Sequence, residues 1–254
     1  MRTDLTVDAS RDALRAAHDR GDHPEVLRLT DALLAQRPGD DAAHELRARA
    51  LLALGRLAEA ERHAQDAVRL DPEEIRYREL LAEVLAAGGA HRDAAAEFGR
   101  LARNDPAQGE WQVAEAHERI EAAQPGMGVD AARRAVRLDP NDGRAQLELA
   151  RALVRTGDAR GAVQAASAAA RLRPGDPAAR EALADARWLA DEDAAAFEDF
   201  RALASELSGA DRARVVTKAR ELYRQHAGWF GRLVAAIGPL FGAALERGWI
   251  GVRS

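Results

Sequence analysis

The sequence contains no cysteine. Disulfide scaffolding, cysteine-ligated zinc and thiol catalysis are therefore excluded. A basic excess is missing too: 37 Lys and Arg stand against 42 Asp and Glu, a formal net charge of −5. Nucleic-acid-binding domains usually show the opposite balance, so no nucleic-acid partner is expected. Lysine itself is nearly absent, with Lys218 its sole representative. Aromatic residues make up only 4% of the chain, which points to modest affinity at any binding surface, because Trp, Tyr and Arg dominate binding hot spots. The opening MRTDLTVDAS lacks the apolar core of a signal peptide, so export by that route is not expected.

What is present is a period. Pro38, Pro72, Pro106, Pro140 and Pro174 follow one another at intervals of 34 residues. Seventeen positions before each stand Gly21, Gly55, Gly89, Ala123 and Gly157. Between each Pro and the next of these positions lies a helix-length stretch, such as Ala43 to Leu54, with Leu46, Ala50, Leu51 and Leu54 on one face. The glycine supplies the left-handed turn that ends this first helix. A second helix follows, such as Leu57 to Leu70, and the proline stops it by removing a backbone donor. Polar pairs after the prolines (Gly39-Asp40, Glu73-Glu74, Asn141-Asp142, Gly175-Asp176) are placed to cap the next helix. Small residues recur where helices must approach closely: Ala48, Ala82, Ala116, Ala150 and Ala184 in first helices, and Ala60, Ala94, Ala162 and Ala196 in second helices.

This pattern resembles the tetratricopeptide repeat family, whose unit has 34 residues. The family's small-residue, Gly, Ala and Pro positions fall on Ala48, Gly55, Ala60, Ala67 and Pro72, and again on Ala150, Gly157, Ala162, Ala169 and Pro174. The resemblance implies an all-α, right-handed α-solenoid of about six helix-turn-helix repeats. Residues 1–6 form a lead and 7–208 the array, with repeats starting near 7, 41, 75, 109, 143 and 177. A capping helix over 209–226 and an amphipathic apolar tail over 227–254 complete the chain. There are departures. None of the repeats has the family's Trp at its fourth position. The fourth has Ala123 for Gly, which predicts a first helix that runs on into an irregular turn. The sixth has Asp191 for Gly and Ser208 for Pro, which predicts the loosest repeat.

By the same resemblance, positions two, five, nine and twelve of each repeat line a concave groove that holds a segment of a partner protein. Here they supply Arg11, Arg15, Arg49, Arg76, His117 and Arg151 as polar candidates, beside Glu45, Glu79, Glu83, Glu110, Glu181 and Asp185. Arginine suits carboxylate recognition because its planar fork donates two parallel hydrogen bonds. The alternative for these charges is a solvated face with weak local ion pairs. Val113, Ile120, Leu147, Val154 and Trp188 read either as an apolar anchor for a peptide or as ordinary core. The Lys and Asn with which the family clamps chaperone tails do not occur at the fifth and ninth positions, so that ligand is not expected.

The tail has a second character. Trp229, Phe230, Leu233, Ile237, Phe241 and Trp249 share a broad apolar stripe, interrupted by Pro239. Its charge-free stretch, Leu233 to Leu245, has 13 residues, short of the roughly 20 that span a bilayer. It reads as a surface that packs on the last repeats, joins a second copy of the chain, or lies on a membrane. The seven histidines form no HxxxH or HExxH pair, and the run Asp139, Asn141, Asp142 lacks the glutamate of a calcium loop. No catalytic set, metal site or cofactor is expected. The sequence therefore predicts a non-catalytic cytoplasmic adaptor; the alternatives are an assembly factor at the inner face of a membrane and a self-assembling scaffold.

Overall fold

The computed structural model describes residues 2–225, with side chains from residue 11 onward. The tail positions Trp229, Phe230, Leu233, Ile237, Phe241 and Trp249 lie outside the described residues. Thirteen α-helices and no strand occur among those described. They fall into two compact units, Met1–Pro140 and Asn141–Ser254.

The first unit holds α1 (Arg2–Asp19), α2 (His23–Gln36), α3 (Asp41–Ala53), α4 (Leu57–Leu70), α5 (Ile75–Ala87), α6 (His91–Asn104), α7 (Gly109–Glu121) and α8 (Pro125–Leu138). The second holds α9 (Gly143–Thr156), α10 (Ala159–Leu172), α11 (Pro177–Leu189), α12 (Asp193–Glu206) and α13 (Gly209–Gln225). Within each unit every helix packs on the one before it. The first helices of neighbouring repeats also meet, α1 with α3 and α3 with α5, and in the second unit α9 with α11. Each unit is thus an all-α solenoid of helical pairs in series.

Local chemistry accounts for the pairs. Asp40, Glu74, Asp142 and Asp176 accept from the backbone N–H groups of Ala43, Arg76, Arg144 and Ala178, satisfying donors that a helix start leaves free. Each first helix ends in a residue at positive φ: Gly21, Gly55, Gly89 and Gly157, but also Ala123 (57°) and Asp191 (59°). The fourth repeat therefore does not run on. Gln124 N–H returns to the Arg119 carbonyl at 2.8 Å, as Arg56 N–H does to Leu51 at 2.9 Å, and Pro125 opens α8 where its missing N–H costs nothing. The backbone bonds hold the turn in shape without glycine. Because a Cβ in this conformation is disfavoured, Ala123→Gly and Asp191→Gly are each expected to raise stability by about 1 kcal/mol, read as a higher Tm. A lowered Tm would contradict this.

The missing fourth-position Trp also has an explanation. His44, Arg78 and Gln112 occupy that place in three successive repeats. Each donates to the carbonyl of the proline six residues earlier: His44 Nε2 to Pro38 at 3.0 Å, Arg78 Nη2 to Pro72 at 3.1 Å, and Gln112 Nε2 to Pro106 at 3.1 Å. A polar tie to the inter-repeat turn replaces the indole.

Between helices the alanine columns are fully buried, including Ala48, Ala60, Ala82, Ala94, Ala150, Ala162, Ala184 and Ala196. The sixth repeat, expected to be loose, contains Phe200, the bulkiest fully buried side chain among the described residues. It packs with Phe197, Leu203 and the α13 residues Val215, Ala219 and Leu222. The aromatic volume of α12 and the apolar stripe of α13 hold this repeat together where the turn signals are absent.

Candidate partner-binding face

The face expected from the sequence to receive a partner is the one built by the first helices. In the first unit α1, α3 and α5 are neighbours, and the Trp111 indole N–H of α7 donates to Glu79 Oε1 on α5 at 3.2 Å. Tyr77 of α5 likewise donates its hydroxyl to Asp41 Oδ2 on α3 at 2.9 Å. These bonds tie the first helices of neighbouring repeats together.

Most of the arginines expected to read a partner are engaged within the chain. Arg11 Nε donates to Asp40 Oδ2 at 3.1 Å, joining α1 to the residue that caps α3. Arg49 Nε donates to Glu45 Oε1 at 2.7 Å, and Arg76 Nε to Glu74 Oε1 at 3.1 Å, with its guanidinium 5.9 Å from the centre of the Tyr77 ring. In the second unit Arg151 Nη1 donates to Glu148 Oε1 at 3.2 Å. Arg15 is exposed at the edge of a shallow concavity formed with Leu14 and Leu46. Of the apolar candidates, Val113, Ile120 and Leu147 are buried and belong to the core. Val154 and His117 are half-buried, and Trp188 sets its ring edge-on to Phe200, with centroids 6.2 Å apart.

The exposed charges on the first unit's face are Arg15, Glu83 and Glu110, together with Arg76 in its exposed pair with Glu74. Glu83 is exposed to water, yet desolvation by the surrounding protein raises its pKa; nearby Arg49 opposes the rise and Glu79 adds to it. Arg49, the cation near Glu83, forms its ion pair with Glu45.

In the second unit the corresponding carboxylates are occupied. The chain's sole lysine, Lys218 of α13, places Nζ 2.8 Å from Glu181 Oε1 and 2.6 Å from Asp185 Oδ2, while Arg214 Nη2 lies 2.9 Å from Glu181 Oε2. Burial works to raise Glu181, but its bonds to Arg214 and Lys218 outweigh that and hold it low. At Asp185 burial wins and the pKa is raised. α13 thus covers the end of this face with its own cations.

A cluster invisible in the sequence sits between α3 and α4. His44 Nδ1 and His63 Nδ1 are 2.9 Å apart, and Asp66 completes a group with the proximity of metal ligands. Arg47 Nε donates to His63 Nε2 at 3.0 Å. His63 therefore carries its proton on Nδ1 and gives it to His44, whose Nε2–H serves the Pro38 carbonyl. Burial, then Arg47, lowers the His63 pKa to about 4. The ring nitrogens are consumed by this relay, and a cation would have to displace the shared proton beside Arg47. The arrangement fits a neutral polar bridge better than a metal centre.

Among the described residues no helix is long and apolar enough to cross a membrane. Family models described as tetratricopeptide repeat match residues 17–84, 113–177 and 147–211. No curated protein matches the sequence. Among solved structures, a tetratricopeptide repeat protein from Parabacteroides merdae superposes with a TM-score of 0.72 at 15% identity, covering 88% of each chain. MamA from Desulfovibrio magneticus gives 0.61 at 20% identity over 67% of this chain and 97% of that one. YrrB, described as a repeat protein with an unusual peptide-binding site, gives 0.57 at 17% identity over 74% and 97%. At these identities the likeness is one of fold.

Proposed function

Because the chain belongs to the tetratricopeptide repeat family, we propose that it is a non-catalytic scaffold that holds a segment of a partner protein along the first-helix face of residues 1–140. Repeat proteins of this kind generally serve as protein-interaction scaffolds, and the peptide site named for YrrB supports the same use here. The carrying observation is Glu83, open to water yet desolvated by its surroundings, with its nearest cation, Arg49, bonded to Glu45 instead. A partner's Lys or Arg meets that need. Arg15, and Arg76 on exchanging its exposed pair with Glu74, then take carboxylates of the same segment, since guanidinium forks suit them. Glu110 adds a second acidic point. Arg11, Arg49 and Arg151 are positioning residues, held by Asp40, Glu45 and Glu148. The membrane and self-assembly readings rest on Trp229 to Trp249, outside the described residues.

Affinity capture from the source cells tests the reading. Glu83→Lys combined with Arg76→Glu is expected to cut recovery of the captured protein by about tenfold, because charge reversal at an interface opposes docking. Gln65→Lys, on the exposed side of α4, should leave recovery unchanged. Equal recovery by all three proteins would remove this face from the function.

A further inference from the structure

The fourth repeat breaks the core pattern of its neighbours. At its seventh and eleventh positions the third repeat has Leu81 and Leu85, and the fifth has Leu149 and Leu153. The fourth has Glu115 and Arg119. At 100° per residue these positions, with Gln112, face away from the partner-binding side of α7 and toward α6 and α8. The opposing wall is Gly99, where other repeats carry Gln65, Arg133 and Ser167. A Cβ at Gly99 would lie 2.9 Å from Glu115 Oε1, so the glycine leaves room for that carboxylate.

The result is a cavity of about 600 Å³ between α6, α7 and α8. Four arginines line it (Arg103, Arg119, Arg134, Arg137) against one carboxylate, Glu115. Arg134 Nη2 donates to Glu115 Oε2 at 2.6 Å, and Arg119 Nη1 donates to Gln124 Oε1 at 2.8 Å. Arg103 and Arg137 have no ion-pair partner among the described residues, so the cavity carries excess positive charge within an acidic protein. Two residues of the lining also have a buried polar atom without a hydrogen bond: Arg119 Nε, a donor, and Gln112 Oε1, an acceptor, with Gln112 only 2% exposed. Leaving a buried polar group unpaired is costly, so these atoms favour gaining a partner. Met127 and Leu138, large apolar side chains left exposed, form the lip.

We propose that this cavity binds a small organic dianion, a phosphate monoester or a dicarboxylate with a short apolar body. Arg103 and Arg137 match its charge, Arg119 adds a third guanidinium to the lining, and Met127 and Leu138 cover the carbon chain. Gln112 Oε1 accepts from an ordered water or a ligand hydroxyl. The site lies on the other side of α7 from the partner face, so it stands or falls independently of the scaffold reading.

Isothermal titration of the full chain with hexyl phosphate and with suberate distinguishes the two sources of charge, with hexanol as the uncharged control. At least one dianion is expected to bind with a stoichiometry of one, and hexanol not at all. Arg103→Glu with Arg137→Glu should weaken binding by about tenfold or more, since each removes and reverses a charge-assisted contact. Gly99→Gln, which installs the residue of the second repeat, should abolish it with the helical circular dichroism unchanged. Arg62→Glu with Arg92→Glu, elsewhere on the same unit, should have no effect. Failure of both dianions at millimolar concentration would overturn the proposal, as would binding that is indifferent to the Arg103 and Arg137 reversals.

Discussion

Replacing Phe200 with alanine is expected to remove about 3–5 kcal/mol from the stability of the second unit, the range for a fully buried aromatic. The ring is enclosed by Ala184 and Ala196 of its own repeat, and by Val215, Ala219 and Leu222 of α13. Its edge meets Trp188, and Lys218 Nζ lies 5.9 Å from its centre. The alanine columns around it have no side-chain reach with which to close the void, so the loss falls toward the upper end. Because each repeat is stabilised only by its neighbours, the variant should release α13 first. Lys218 would then leave Glu181 and Asp185 uncompensated. Denaturant unfolding measures the change, and a loss below about 1 kcal/mol would show that the site collapses, against the expectation for a rigid core.

Acid should strike the first unit through His63. In the folded chain its pKa is lowered to about 4 from an ordinary 6.5, by burial first and then by Arg47 and His44. The unfolded chain takes up the proton that the folded one refuses. Stability therefore falls as pH drops from about 6.5 toward 4 and is fully present above that window. The full shift corresponds to about 3 kcal/mol, and partial exposure of His63 brings the expected loss nearer 2 kcal/mol. His63→Gln should flatten this part of the stability profile. A variant with the same acid slope would mean that the relay of Arg47, His63, His44 and Pro38 does not bear on stability.

The repeat architecture was legible because its determinants are local. Proline cannot continue α2, α4, α6, α8 or α10; the residues at positive φ close the first helices, and Asp40, Asp142 and Asp176 cap the next ones. Each of these signals acts within a few residues of itself. The candidate face was legible only in position. Whether an arginine at that position is free depends on residues remote in the chain or one turn away, as with Arg11 and Asp40 or Arg49 and Glu45. The His44–His63 contact spans 19 residues and the Trp111–Glu79 bond 32, separations set by how repeats pack rather than by any local pattern. Val113 and Leu147 lie at positions that face both the groove and the next helix, and the core takes them. The leucine-to-charge changes at Glu115 and Arg119 acquire a meaning only with Gly99 opposite, a contact between helices that no local pattern carries.

The most direct measurement is photo-crosslinking from a benzophenone side chain placed at position 83 on the first-helix face, compared with one at position 65 on the exposed side of α4. In the presence of the captured partner, position 83 is expected to yield the crosslinked product and position 65 none. Crosslinking from position 65 alone would contradict the first-helix face as the place where this scaffold holds its partner.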